Sequence, residues 1–425
     1  MNLSLSKFSE YQKLFVKETS AQILEKLIRI FVGLYVIREI SSYFDVELFG
    51  VFNFIESYFL IFVALSFFGT DSILVRLLQG SKKYQKIIGN GIVVLTVTSI
   101  LFILFSIIIS QFLVSKQSLS YTFIVSIGLL FSPLIVFEAF YISLNKIRVT
   151  SYFKIFTFLI KSALILFFIN RKFDFNFFIY LIILEHALSG FLIFLFFKFQ
   201  KFKISFEFDI KLLKEILVPS FYVFIYSIGA LIFLRIDLFM IENYLNDFEM
   251  GIYTASFKIL SFFYFIPNII AQTLYPRIIQ IFKSNQKEFE PLKKMYKLSF
   301  ISGFFVFILL LLLGDYMIDF LYGSEFNDSK YILKILSFNI LFVSISSVYY
   351  KVLYSSMLEK RLFFRVFLAI ILNIILNMVL IPIYKLEGVA LATIISLFFL
   401  EFIYDFFDKK LIDLHIFKLK SILKL

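Results

Sequence analysis

The residues best placed to do chemistry in this sequence are lysines and arginines inside long apolar segments. Lys26 and Arg29 lie deep in the first such segment. Gln22 and Gly33 fall on the same face of that segment at helical spacing. A cation at the centre of a membrane helix costs about 2.5–3.5 kcal/mol on insertion scales, so it usually faces protein or water. A hydrated cavity that offers guanidinium and ammonium groups would attract phosphate.

Three further cations complete this candidate substrate-binding set. Lys161 lies near the middle of the fifth apolar segment, and Arg235 lies toward the outer end of the seventh. Lys258 lies in the eighth, on a polar face shared with Thr254 and Ser261. Together with Lys26 and Arg29, the deep lysines Lys161 and Lys258 predict a phosphate-binding site inside a membrane.

Carboxylates in the same segments allow a second interpretation, in which the cations are paired internally. Glu25 can reach Arg29 one turn away, and Glu56 or Glu138 could neutralise a neighbouring helix. The deep cations nevertheless outnumber Glu25, Glu56 and Glu185. An excess of buried positive charge is costly unless an anion or water occupies the space, which favours the anion site.

Four carboxylates are therefore candidates for ion coupling or for charge pairing: Glu56, Glu138, Glu185 and Asp237. Glu185 precedes His186, a pair that fits a packed polar contact better than a proton-coupling device. His415, in the basic tail, is expected to be exposed. The chain has no cysteine and only two histidines. It carries no glycine-rich phosphate loop and no HExxH motif, so we predict no catalytic residue, no metal site and no cofactor.

The elements that carry these residues are predicted to be about twelve transmembrane helices. Of 425 residues, 60% are apolar and 17% charged, whereas a soluble chain is roughly a quarter charged. This composition excludes a soluble enzyme, a disordered chain and a nucleic-acid-binding domain. A helix crosses a membrane with about 20 apolar residues. We predict spans near residues 20–41, 49–69, 87–115, 117–137, 149–169, 176–197, 216–234, 259–276, 298–314, 331–353, 366–384 and 387–407.

The charges of the connecting segments predict an orientation. Lysines and arginines are concentrated in alternate loops and in both tails, which by the positive-inside rule places both termini in the cytoplasm. Residues 1–19 are expected to form an interfacial amphipathic helix, and residues 408–425 a basic amphipathic tail.

The chain divides into two predicted six-helix lobes, residues 1–205 and 206–425. Gly50 is followed by Arg76 at the same spacing as Gly251 is followed by Arg277, which suggests a duplication. Six helices in each lobe keep both lobes the same way up, with a symmetry axis along the membrane normal. Transporters with a central site between two bundles are built in this way.

Three segments carry a family resemblance: NIILNMVLIPIYKLEGVALATIIS from Asn373, LRIDLFMIENYLNDFEMGIYTASFKI at Leu234–Ile259, and LYGSEFNDSKYILKILSF at Leu321–Phe338. In order and spacing they resemble the polysaccharide (O-antigen, lipid-linked oligosaccharide) flippases of the multidrug/oligosaccharidyl-lipid/polysaccharide exporter superfamily. The resemblance spans nearly the whole chain.

This resemblance implies an all-α integral membrane protein with two pseudo-symmetric six-helix bundles in a V shape. It implies movement of undecaprenyl-diphosphate-linked oligosaccharide across the bacterial cytoplasmic membrane, by alternating access. The first, second, seventh and eighth helices of such proteins line the cavity, so Lys26, Arg29, Arg235 and Lys258 would face it. Membrane lipids, a polysaccharide polymerase and the chain-length machinery are the expected partners, and nucleic acid is not.

Two other functions stay open at this point. A multidrug exporter of the same fold would bind organic cations in an acidic, aromatic cavity, and the deep cations argue against it. A membrane polymerase or ligase would need a sizeable outer loop with catalytic residues, whereas the outer loops here are short and lack histidine.

Overall fold

A computed structural model describes residues 2–233, 235–283, 290–356 and 358–423, and every regular element in these ranges is helical. Unbroken apolar runs favour helices, because a helix satisfies its own backbone hydrogen bonds in lipid. The α-helices are α1 Asn2–Tyr43, α2 Val46–Phe67, α3 Thr70–Leu78, α4 Tyr84–Leu113, α5 Lys116–Ile127, α6 Ile135–Ser143, α7 Ile147–Asn170, α8 Phe175–Phe199, α9 Ile210–Phe233, α10 Ile236–Tyr244, α11 Asp247–Phe263, α12 Phe265–Lys283, α13 Glu290–Tyr322, α14 Asp328–Leu336, α15 Asn339–Ser355, α16 Glu359–Phe398 and α17 Ile412–Leu423.

Nine stretches within the described ranges are long and apolar enough to cross a membrane. They are Val46–Phe67, Tyr84–Leu113, Ser118–Ser143, Ile147–Asn170, Phe175–Phe199, Asp247–Ala271, Glu290–Tyr322, Asp328–Ser355 and Phe364–Phe407. The last is interrupted at Lys385, whose φ of 47° breaks α16 into two rods. The predicted all-helical membrane architecture is confirmed, while the number twelve stays a prediction.

Two helices extend beyond the predicted spans. The helix α1 is continuous over 42 residues, so residues 2–19 and the first predicted span belong to one helix, and the interfacial position of residues 1–19 stays a prediction. The eighth predicted span begins at Asp247 rather than at residue 259, because Asn246 caps the helix by accepting a hydrogen bond from the Glu249 amide at 2.9 Å.

The chain forms two compact units. Unit 1 comprises Met1–Phe44 and Phe52–Ile228, and unit 2 comprises Asp45–Val51 and Gly229–Leu425.

In unit 1, the polar connector before α9 lies against the start of α4. The Asn90 side chain donates to the Glu207 carbonyl at 2.9 Å and accepts from the Asp209 amide at 3.2 Å. A Cβ atom on Gly89 would lie 1.9 Å from the carbonyl oxygen of Ser205, so only glycine admits the connector here. These backbone contacts fix the connector to unit 1.

In unit 2, the first turn of α2 crosses the first turn of α11 at two glycines. A Cβ atom on Gly50 would lie 2.4 Å from the carbonyl oxygen of Asp247, and one on Gly251 would lie 2.2 Å from that of Val46. Asp247 lies four residues before Gly251, and Val46 lies four residues before Gly50, so each glycine meets the equivalent carbonyl of the other helix. The helices thus cross backbone against backbone, an approach that small residues allow in membrane bundles.

We expect Gly251→Ala to destabilise the protein by about 1–3 kcal/mol, because the new methyl group overlaps a backbone oxygen. Gly33→Ala is the matched control, since its Cβ would meet only the Phe158 ring at 3.9 Å. Alanine in an open helical site should be neutral or stabilising. The measurement is the midpoint of thermal unfolding in detergent. Equal midpoints for the two variants would contradict the crossing.

Unit 2 also contains a cluster of five fully buried ionisable side chains near the end of the chain. Arg365, near the start of α16, lies 3.1 Å from Glu401 and 3.4 Å from Asp405. Lys418 of α17 lies 3.2 Å and 3.4 Å from the same two carboxylates. His415 Nδ1 lies 3.1 Å from Asp405.

The tail helix α17 therefore turns polar residues inward. The expectation that His415 is exposed is wrong, because Asp405 draws the imidazole into the interior. Burial lowers the pKa of the Lys418 ammonium, whose Nζ also lies 4.2 Å from the centre of the Tyr349 ring. A single π-helical turn, Phe399–Ile403, carries Glu401 into this cluster.

We expect Lys418→Met to destabilise the protein by about 3–5 kcal/mol, because it leaves a buried negative charge without its partner. The double variant Lys418→Met/Glu401→Gln restores the charge balance and should recover part of the loss. Lys420→Met, at an exposed position of the same helix, is the control. Thermal unfolding distinguishes these outcomes, and a Lys418 variant as stable as the Lys420 variant would refute the ionic role.

Candidate functional site

The candidate site is a charged cavity of about 360 Å³ inside unit 1. The charged residues of its wall come from α1, α2, α7 and α8: Glu25, Arg29, Glu56, Lys154, Lys161 and Glu185. Phe59, Leu60, Val63 and Ile182 supply an apolar part of the same wall. A polar cavity of this size is large enough to hold water.

The two central cations of the cavity are joined by one carboxylate. Arg29 Nη1 donates to Glu185 Oε1 at 2.6 Å, and Lys161 Nζ lies 3.4 Å from Glu185 Oε2. Arg29 Nε also donates to Glu25 at 3.2 Å, and Lys161 lies 3.4 Å from Glu56. The Arg29 guanidinium additionally stacks over the Phe158 ring at 4.9 Å.

A second cavity of about 190 Å³ has Lys154, His186 and Ser189 in its wall as well, so these three residues belong to both cavities. Glu138 lines this second cavity and forms an ion pair with Lys154. The polar wall therefore extends from the Arg29 cluster past His186 to this second ion pair.

The helical register explains why these side chains meet. Lys154 and Lys161 are seven residues apart and share one face of α7, as Glu25 and Arg29 do on α1. This shared face of α7 can be predicted from the sequence. Lys154 lies near the start of the predicted span 149–169, where a cation is expected to reach toward the interface, so the sequence pattern gives it no role in a cavity.

The charges of the larger cavity are balanced. Three cations face three carboxylates among its lining residues, so the expected excess of cations is not found in this part of unit 1. Glu138, which pairs with Lys154, adds a fourth carboxylate from the second cavity. Lys26 is exposed on α1 and does not line the cavity. Carboxylates on neighbouring helices account for the difference between the expected excess of cations and the charge balance that the cavity has.

The other two predicted cations belong to unit 2. Arg235 lies at the N-terminal end of α10 and is partly buried. Lys258 is also partly buried on α11, with its Nζ 5.8 Å from the centre of the Phe49 ring. The anion-binding role of Lys26, Arg235 and Lys258 stays a prediction.

Asp237 occupies a polar pocket of unit 2 that contains hydroxyl and amide groups. Its carboxylate accepts hydrogen bonds from Tyr253 and Thr393, each at 2.6 Å, and from Asn377 at 3.4 Å. Asn377 also donates to Asn373, and its own Oδ1 lacks a hydrogen-bond partner in the described part of the chain. Within the part of the chain that the structure describes, no lysine or arginine pairs with Asp237.

Asp237 was predicted from the sequence as a site residue, but the hydroxyl and amide groups around it were not. Asn373, Asn377 and Thr393 all lie in the segment from Asn373 onward that carries the family resemblance. Their spacing places the two asparagines one turn apart on a single face. The missing information was that this face lies against α10.

Comparison with known proteins identifies relatives of this chain. A sequence model of a family described as polysaccharide biosynthesis protein matches residues 15–282. The capsular polysaccharide biosynthesis protein CapF of Staphylococcus aureus is 26% identical over 216 residues, which cover 50% of this chain and 54% of that protein. The match thus spans about half the length of this curated relative.

Two solved structures share the fold. The lipid II flippase MurJ, in an inward closed conformation, aligns with a TM-score of 0.71 at 17% identity, over 96% of this chain and 88% of that chain. An inward-facing multidrug resistance transporter of the MATE family, in the MOP superfamily, aligns with a TM-score of 0.64 at 11% identity, over 88% and 95%.

Proposed function

The chain belongs to the polysaccharide biosynthesis protein family, and on this premise we propose that it is a flippase for lipid-linked oligosaccharides. In this proposal it moves undecaprenyl-diphosphate-linked repeat units from the inner to the outer leaflet of the bacterial cytoplasmic membrane. It acts as a carrier and not as an enzyme. Its partners are the lipid-linked oligosaccharide, the membrane lipids and the polysaccharide-assembly machinery.

The observation that carries this proposal is the convergence of Arg29 and Lys161 on one cavity in unit 1. Their charged groups come from two helices, α1 and α7, and both reach the same carboxylate. A guanidinium binds phosphate oxygens in a bidentate fork, and an ammonium acts as a compact point charge beside it. The pair therefore offers a diphosphate two complementary donors.

The proposed transport cycle follows from the chemistry of the substrate. The diphosphate docks on Arg29 and Lys161, while the sugars occupy hydrated space and the prenyl chain stays in lipid. Lys26, Arg235 and Lys258 contribute further positive charge along the path. Alternating access then exposes the site to each leaflet in turn. The membrane potential contributes about 2.3 kcal/mol for each charge moved through 100 mV.

Within this proposal, Asp237 is the residue that couples transport to an ion gradient. Glu56, Glu138 and Glu185 each contact a cation. Asp237 instead accepts from neutral donors alone in the described ranges. A buried carboxylate without a counter-charge is costly, so it favours binding a proton or a small cation.

The charge balance of the cavity supports a second candidate function, a multidrug exporter of the same fold. Glu25, Glu56 and Glu185 line the cavity beside Phe59. Carboxylates next to an aromatic ring are the groups that bind organic cations. In the flippase the cations hold the substrate, and in the multidrug exporter the carboxylates do. Variants of the cations therefore distinguish the two candidate functions.

We expect the double variant Arg29→Ala/Lys161→Ala to lower surface polysaccharide by at least about tenfold, because each lost charge-assisted bond to phosphate is worth roughly 1.5–3 kcal/mol. The measurement is surface glycan in a deletion strain complemented with each variant at matched membrane levels. Lys334→Ala is the control, since this lysine pairs with Asp315, a partly exposed residue, at 2.7 Å. Full glycan display by the double variant would refute the site, and drug sensitivity with intact glycan would favour the multidrug exporter.

We expect Asp237→Asn to abolish stimulation of flipping by an imposed proton or cation gradient, because the amide cannot change its charge. The side chain keeps its volume, so the variant should fold and still bind the substrate. The assay is flipping in proteoliposomes with and without the gradient, and Asp315→Asn is the control. Unchanged gradient dependence in the Asp237 variant would exclude this residue as the coupling group.

A further inference from the structure

Glu185 holds a position in the cavity that no other described carboxylate shares. Its Oε1 accepts from Arg29 at 2.6 Å, and its Oε2 lies 3.4 Å from Lys161. Glu25 contacts Arg29, and Glu56 contacts Lys161. Glu185 alone among these three carboxylates uses one oxygen for each cation and so joins α1 to α7 through α8.

This geometry is that of a bound anion. Glu185 gives one oxygen to each cation, and the oxygens of a phosphate group can be shared between a guanidinium and an ammonium in the same way. Glu185 thus occupies the position on Arg29 and Lys161 that the proposed function gives to the diphosphate. A phosphate that took this position on both cations would displace the carboxylate from it.

We propose that Glu185 is an internal counter-anion, which occupies the anion site of Arg29 and Lys161 and is exchanged for the diphosphate of the substrate. This inference rests on the proposed function and assigns Glu185 a role in selectivity. With Glu185 in place, the cations of the empty carrier are neutralised without a ligand. The substrate must then replace a carboxylate that is already well bound.

Such an exchange favours a multiply charged anion. A monoanion that displaces Glu185 offers the two cations no more charge than they already had, and the released carboxylate must find other contacts. A diphosphate offers several charged oxygens and can neutralise both cations while repelling Glu185. A lipid monophosphate carries about −1.5 to −2 at neutral pH on a single phosphate group, whereas a diphosphate has one phosphate group for each of the two cations. The internal anion therefore favours a carrier lipid with a diphosphate over one with a monophosphate.

The experiment compares binding of farnesyl diphosphate, farnesyl monophosphate and farnesol to the purified full-length protein by calorimetric titration. We expect Glu185→Gln to bind farnesyl diphosphate about tenfold more tightly than the natural protein, which corresponds to about 1.4 kcal/mol. The gain for farnesyl monophosphate should be larger, so the preference for the diphosphate should fall. Farnesol should bind equally to both proteins.

Two control variants isolate the bridging role. Glu138→Gln removes one carboxylate from the adjoining cavity, where Glu138 pairs with Lys154, and it should leave the preference unchanged. Glu185→Gln in a Lys161→Met background should give a smaller gain, because it frees Arg29 alone instead of both cations. Thermal unfolding of each variant verifies that it is folded.

The outcomes separate this inference from the proposed function. If the natural protein binds the diphosphate through Arg29 and Lys161, and Glu185→Gln binds it no more tightly or loses no preference, the counter-anion role is overturned and the flippase proposal stands. An equal gain in Glu138→Gln would also overturn it, because the effect would then be general electrostatics. Absence of diphosphate binding in every variant, Glu185→Gln included, would overturn both.

Discussion

An ionic group inside a membrane helix bundle must be neutralised or hydrated, and this constraint governs the interior of both units. The cost of an unpaired charge there is several kcal/mol, which is a large fraction of the stability of a protein. The sequence inserts lysine, arginine, glutamate and aspartate into helices that are otherwise apolar. A buried charge requires counter-charges, hydrogen-bond donors or water, and ion pairs between helices therefore constrain which helices meet and in which register.

The two units meet this requirement in different ways. In unit 2, Arg365, Glu401, Asp405 and Lys418 are fully buried and joined by ion pairs, so the cluster is closed to bulk solvent and fixes α17 to α16. In unit 1, the paired groups line a cavity, and the Arg29 side chain is 33% exposed. A fully buried cluster stabilises one arrangement. Pairs beside a cavity can exchange partners with a ligand, which makes unit 1 the place to look for substrate chemistry.

The sequence was sufficient for the fold class and for individual charged residues, but not for their partners. Unbroken apolar runs predicted helices, and depth along those runs identified Arg29 and Lys161. The bridge through Glu185 was not predictable, because it depends on which face of α8 meets α1 and α7. The inward position of His415 was not predictable for the same reason. A short basic tail has the pattern of an interfacial helix, and the sequence does not show that it packs against Asp405.

The balance of charges in unit 1 follows from what a carrier must do. A cavity with a permanent excess of cations would bind a diphosphate strongly and release it slowly, since affinity differences arise mostly from the dissociation rate. Carboxylates that pair with the same cations lower the net gain from binding and offer the cations a partner once the substrate leaves. The ion pairs of Arg29 and Lys161 are therefore compatible with anion transport, and a wall of cations alone would be a trap. Internal pairing is then the state of the cations in the empty carrier, and the anion site is their state when the substrate is bound.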